Sequence, residues 1–144
     1  MFMEDKRPSR FNIRVYGIWI KDGHLLVNDE LIRGKQVIKF PGGGLDIGEG
    51  TIAGLKREWK EELNLDIEVL DHFYTTDFFQ QSAFDDSQVI SIYYFVSAPE
   101  DADILNLIPE ERTFWLPMSE VSEHAFTLPI DRVVGRTLQQ LFNA

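Results

Sequence analysis

An α/β fold, with a mixed sheet lying between helices, is what the order of segments in this chain predicts. Three features point there. Val89–Ala98 (VISIYYFVSA) is dominated by β-branched and aromatic residues, which marks it as a strand and a central one. Two segments, one running from about Thr51 to Leu63 and one over Asp131–Phe142, carry apolar residues at helical spacing. Shorter strand-like runs precede and separate them. Element order alone leaves other α/β and α+β arrangements open.

The polar residues Met1–Arg10 are expected to form a loose arm. Arg7 and Arg10 could reach a phosphate, although a solvated tail is the simpler reading. Phe11–Ile20 (FNIRVYGIWI) reads as a strand, Lys21-Asp22-Gly23 as an Asp-Gly turn, and His24–Asn28 as the hairpin partner. Asp29–Gly34 is expected as a loop or frayed edge, and Gln36–Phe40 as a short strand ending at Pro41. Pro41-Gly42-Gly43-Gly44 is expected to be irregular, because glycine permits φ > 0 and leaves the backbone bare for close approach to a ligand. Thr51 is the expected N-cap of the first helix. Asp66–Phe79 reads as a strand bent near Asp71-His72, Gln80–Gln88 as a polar loop, Pro99–Asn106 as an acidic loop and Thr113–Leu116 as a short strand. A helical turn is expected near Ser119–Val121. The closing helix begins at Pro129, with Val133, Val134, Leu138 and Leu141 at helical spacing. No repeat, low-complexity tract or linker interrupts residues 1–144, so a single domain is expected.

A chain of 144 residues can bury a sizeable core. Its 44% hydrophobic and 26% charged residues argue against disorder. A net charge of −10 disfavours nucleic-acid polymers, which need a basic face, but not a small phosphorylated ligand bridged by metal ions. Cysteine is absent, which rules out disulfides, a zinc–thiolate site and a cysteine nucleophile. No apolar run approaches the roughly 18 residues of a membrane span, and the start lacks a signal-peptide core. A cytoplasmic location is the resulting expectation.

On the first helix, Glu58, Glu61 and Glu62 share one side, being related as i, i+3 and i+4. Ile52, Leu55, Trp59 and Leu63 form an adjacent stripe that can face a core. Like charges at this spacing cost roughly 0.2–0.5 kcal/mol per pair. A hard divalent cation with oxygen ligands reverses that sign. The plainer alternative is a solvated acidic face. The wider spacing decides between them. Gly43, five residues, Glu49, seven residues, Arg57-Glu58-Trp59, one residue, Glu61-Glu62, one residue, Asn64-Leu65 resembles the Nudix box, with Asn64 where the family has glycine. That position ends a helix, where a left-handed residue is wanted and asparagine is next best to glycine.

The resemblance implies an α/β/α sandwich and hydrolysis of a nucleoside diphosphate linked to some other group, with Mg²⁺ or Mn²⁺. It implies Glu58, Glu61 and Glu62 as metal ligands, with the Gly42 carbonyl as a further oxygen. Carboxylates holding divalent ions suit the chemistry, since cleaving a pyrophosphate needs neutralised oxygens, an activated water and a stabilised leaving group. Arg57 is expected to orient Glu49 through a bidentate pair, which leaves Glu49 as a structural partner or as a metal ligand through water. In the family the general base is either a box glutamate, Glu58 here, or an acid from a later loop. Glu110 and Glu111 are the loop candidates, with Asp85 and Asp86 weaker ones.

Substrate choice lies outside the box. Phe11, Tyr16, Phe78, Phe79 and Phe84 could stack on a base, although at strand spacing most such residues are core. ADP-ribose-type members carry a proline some 15 residues past the box, where this chain has Gln80 and Gln81. The Pro-Gln-Gly-Gly entrance of dinucleoside-polyphosphate members is also missing, since Gly42 follows Pro41. Both absences lean towards a nucleoside triphosphate or related nucleotide. The competing expectation is a Nudix-fold module that senses a nucleotide without cleaving it. Dimers are common in the family, and nothing in the sequence marks an interface.

Overall fold

Along the strand Arg10–Ile18 (β1), the alternation of side chains decides the architecture. Val15 and Gly17 face one side, Tyr16 and Ile18 the other, and each side meets its own helix. A computed structural model describes residues 7–142 of the chain. The remaining strands are Ile20–Lys21 (β2), His24–Ile32 (β3), Lys35–Lys39 (β4), Gly42–Gly44 (β5), Glu68–Thr75 (β6), Ser87–Ser97 (β7) and Glu111–Pro117 (β8). The helices are Thr51–Leu63 (α1) and Pro129–Phe142 (α2), with two short 3₁₀ turns at Met118–Glu120 and Glu123–Ala125.

One sheet has the order β5-β1-β7-β6, in which β1 and β7 run parallel and the outer pairs antiparallel, so it is mixed. In the second, β3 is central, pairing antiparallel with β2, β4 and β8. Helix α1 packs Leu55, Trp59 and Leu63 against Val15, Trp19 and Leu26. Helix α2 packs Ile130, Val134 and Leu138 against Tyr16, Ile18, Leu25, Val27 and Tyr93 on the opposite side. Helices therefore cover both faces, as the sequence predicts. Gly17 makes the α1 contact close, because a Cβ there would lie 2.6 Å from the Trp59 ring. No described helix is long and apolar enough to cross a membrane.

The central placement of β7 and the span of α1 match expectation. The predicted bend near Asp71-His72 is present as register shifts between β6 and β7 around His72. Several expectations need correction. Residues Asp29–Ile32 are strand, not loop: Arg33 and Gly34 both take positive φ (50° and 80°) and close a tight hairpin into β4. The glycine run is not irregular, since its bare backbone adds a strand to the edge at β1, with Gly42 opposite Tyr16. Gly50, not Thr51, is the N-cap, and the Thr51 hydroxyl instead bonds the Tyr94 hydroxyl at 2.7 Å. Ile52 and Leu141 lie outside the core, at 48% and 61% exposure. Strand β8 begins at Glu111, two residues earlier than expected. Most of the expected arm, residues 1–6, lies outside the described residues. Its end is tied down, with Ser9 donating to Asp86 and Arg10 paired with Asp85 and Asp86.

Candidate active site

The turn from Leu45 to Gly50 folds back on α1 because Arg57 gathers it in. Arg57 Nε donates to Glu49 Oε2 at 3.0 Å and Nη2 to Glu49 Oε1 at 2.6 Å, the bidentate pair expected from the sequence. Nη2 also reaches the Gly44 carbonyl at 3.0 Å, which ties the helix to β5. Nη1 reaches Glu58 Oε1 and Glu61 Oε2, both at 3.1 Å. The Asp46 amide donates to Glu49 as well. With Arg57 first and Asp46 second as donors, the Glu49 carboxyl is held down to about 2.

Behind this outer layer lies a second one with the opposite character. Glu58 rests on the bare backbone of Gly43, where a Cβ would fall 2.5 Å from its carboxylate. Glu62 turns into the interior beside Glu58 and Glu111. Burial first, and then the charge of Glu111, push Glu62 up to about 9. Burial, followed by the charge of Glu30 and a hydrogen bond with it, pushes Glu111 up to about 7. Glu111 and Glu30 face each other across the β3–β8 ladder. One buried oxygen of Glu62 and one of Glu111 have no hydrogen-bond partner. On the far side from Arg57 stands Lys39, which is 3% exposed and 3.3 Å from Glu30.

The structure thus brings together Glu49, Arg57, Glu58, Glu61, Glu62 and Glu111, with Gly42 in the adjoining strand. Glu110 does not join them; its side chain is exposed and its carbonyl accepts from Leu31. Asp85 and Asp86 sit on the loop before β7 and are bonded there to Ser87, Ser9 and Arg10. Among the described residues, no three acidic or imidazole side chains converge closely enough to ligate one ion as they stand. The Arg57 guanidinium stands among Glu49, Glu58 and Glu61, while Glu62 turns inward. The donor set nonetheless fits a hard divalent cation: every member offers oxygen, and one buried oxygen of Glu62 lacks a partner.

Sequence reasoning does not single out Glu30, Lys39 or Arg14. The only signal for Lys39 is a cation inside the otherwise apolar end of QVIKF, just before Pro41. Arg14, Glu30 and Lys39 also wall a cavity of about 300 Å³, closed by Gln80–Asp85 and by the start of α2. Of the aromatic candidates, Tyr16 and Phe84 line this cavity, whereas Phe11 and Phe79 are 64% and 61% exposed on the surface.

The family model described as the NUDIX domain matches residues 10–136. No curated protein matches the sequence significantly. Among solved structures, the MutT protein of Methanosarcina mazei Go1 is 18% identical with a TM-score of 0.77, over 98% of this chain and 100% of that one. A MutT NUDIX hydrolase from Burkholderia pseudomallei is 14% identical with a TM-score of 0.74, over 90% and 98%. A bifunctional NMN adenylyltransferase/ADP ribose pyrophosphatase from Francisella tularensis is 18% identical with a TM-score of 0.70, over 93% of this chain and 42% of that one. At such identities the likeness is one of fold.

Proposed function

The chain belongs to the Nudix hydrolase family, and from that premise we propose that it hydrolyses a pyrophosphate bond in a nucleoside diphosphate linked to another group, a nucleoside triphosphate or related nucleotide, using Mg²⁺ or Mn²⁺. The observation that carries this reading is the buried meeting of Glu58, Glu62 and Glu111, in which two carboxylate oxygens have no partner. Like charges packed this way are unfavourable unless protons or a cation neutralise them.

Glu58, Glu61 and Glu62 would hold the ion, with the Gly42 carbonyl as a further oxygen. When bound, the ion neutralises phosphate oxygens and favours the attacking hydroxide. In its absence Arg57 bonds Glu58 and Glu61 as well as Glu49 and the Gly44 carbonyl, and the last two would remain its partners were the ion bound. Arg57 and Glu49 thereby set the position of the helix and touch no substrate. Glu111 takes the proton from water. It borders the ligands from β8 without belonging to the helix that supplies them, and one of its buried oxygens has no partner. Exposed Glu110 has no such setting. The proposed partner is a small nucleotide, and the proposed location is the cytoplasm.

The test is a panel of nucleoside triphosphates and nucleoside diphosphate conjugates incubated with the wild type and Glu61→Gln, in Mg²⁺ and in EDTA. We expect at least one substrate to be cleaved by the wild type in Mg²⁺ only. Tight nucleotide binding with turnover no faster than that of the variant would instead identify a sensing module.

A further inference from the structure

Lys39 and Arg14 are two cations beside the carboxylates that the hydrolytic reading leaves without a role; Arg33, also on the cavity wall, is bonded to the Phe84 carbonyl. We propose that Lys39 and Arg14 together form a throat between the cavity and the carboxylates of α1, gripping the phosphate next to the substrate's organic group while that group occupies the cavity. This rests on the function proposed above and extends it to residues outside the box.

Lys39 projects from the end of β4 with its ammonium over the Tyr16 ring, 5.1 Å from the centroid, and Arg14 holds its guanidinium over the same ring at 5.7 Å. Both residues line the cavity. Arg14 pairs with Gly44 in the β1–β5 ladder, and the next residue back, Gly43, carries Glu58 against its backbone. Lys39 pairs with Glu30, which faces Glu111 across the ladder. The two cations therefore have the cavity on one side and the acidic helix on the other. An anhydride with its organic end in the cavity and its phosphates towards α1 passes between them.

The alternative is that both cations merely offset buried carboxylates. For Lys39 the ion pair with Glu30 gives that view some weight, since buried lysine is almost always paired. Arg14 feels the charges of Glu58 and Glu30 as well, but it makes no contact pair with either. Among the described residues its guanidinium has no ion pair, and its one hydrogen bond runs from Nε to the Tyr16 hydroxyl at 2.5 Å. A guanidinium has five donors in a planar fork, so the Nη edge of Arg14 is left for an anionic ligand. An ammonium has three donors, more than one carboxylate contact uses. Arginine and lysine on one wall supply a fork and a point charge, a pairing suited to phosphate.

Binding without metal tests this separately from turnover. The four common nucleoside monophosphates and their parent nucleosides would be titrated calorimetrically in EDTA into the wild type, Arg14→Gln, Lys39→Gln and Lys39→Arg, each checked for folding by thermal melt. At least one monophosphate should bind the wild type about tenfold or more tightly than its nucleoside, a preference of about 1.4 kcal/mol. Arg14→Gln and Lys39→Gln should lose most of that preference with nucleoside affinity unchanged, and Lys39→Arg should keep most of it. In turnover the same two Gln variants should raise KM more than they lower kcat. Should Lys39→Gln not fold, Arg14→Gln and Lys39→Arg carry the comparison. The throat is overturned if no monophosphate binds, if monophosphate and nucleoside bind alike, or if the Gln variants keep the full preference. Loss of hydrolysis across the nucleotide panel would sink the enzymatic reading while leaving this binding result standing.

Discussion

Glu49 and Glu62 sit on either side of Arg57 and differ in everything but their side chain. Glu49 meets a bidentate guanidinium and the Asp46 amide, and its carboxyl is held at about 2. Glu62 points inward among other acids, leaves one oxygen without a partner and is pushed up to about 9. The outer layer is complete within the chain. The inner one is electrostatically unfinished, and under the proposed function a cation would complete it. Residue type therefore says little about a glutamate's part in the site, whereas its surroundings say a great deal.

The largest effects should come from disturbing the inner layer. Glu62→Gln should lower kcat by roughly 10²–10³-fold, the usual loss when one preorganised electrostatic contact is removed. Near pH 7 its metal-free form should melt no lower than the wild type, because the Glu62 carboxyl, titrating at about 9, is already uncharged there and the amide costs no extra charge burial. Equal losses of activity and stability would erase the distinction between the layers. Gly43→Ala comes next. The new Cβ would press on the Glu58 carboxylate, so turnover should fall several-fold more than denaturant stability predicts.

The outer layer should answer in stability. Arg57→Gln should cost about 1–3 kcal/mol by denaturant unfolding, as hydrogen bonds to charged partners are lost. Its side chain is 26% exposed and that of Glu49 is 18%. Lys60 and Asp66, at 51% and 83%, form a surface pair whose removal should cost under about 1 kcal/mol.

The layers should also respond to pH with opposite signs. Glu62 and Glu111 titrate at about 9 and about 7 in the fold, above the ordinary 4.5. Across that window the folded state holds protons that the unfolded chain has released, so their contribution to stability falls as pH rises. Glu49 titrates at about 2, below 4.5, so its contribution is complete above 4.5 and is lost as pH falls towards 2. Thermal melts in EDTA from pH 5 to 8 should show a downward component that Glu62→Gln reduces and Mg²⁺ suppresses. The smallest effect belongs to Asn64→Gly. Asn64 already takes the left-handed conformation (φ 56°, ψ 35°) and closes α1 through its amide, so the change should stay within about 1 kcal/mol.

The outer layer was largely legible in the sequence because it is local. Glu49, Arg57 and Asn64 lie within one turn and one helix, where spacing dictates geometry. The inner layer was half legible. Glu58 and Glu62 follow from helical spacing, but Glu111 was one of several loop acids until strand pairing set it opposite Glu30. That pairing joins segments 81 residues apart, and no local pattern encodes it. Lys39 and Arg14 stayed hidden for the same reason, since their meeting over Tyr16 depends on the ladders of β1 and β4. The strand at Gly42–Gly44 was missed because glycine has no side chain to announce a pleat. Residues Asp29–Ile32 were missed because Arg33, a residue that rarely adopts positive φ, makes the turn.

Titration of Mn²⁺ into nucleotide-free protein, followed by the electron paramagnetic resonance signal of free Mn²⁺, tests the central claim most directly. The account predicts binding to the wild type that weakens at least about tenfold in Glu58→Gln and in Glu62→Gln and is unchanged in Glu110→Gln. A wild type that binds no Mn²⁺, or a Glu110→Gln variant that weakens binding as much as the other two, would contradict it.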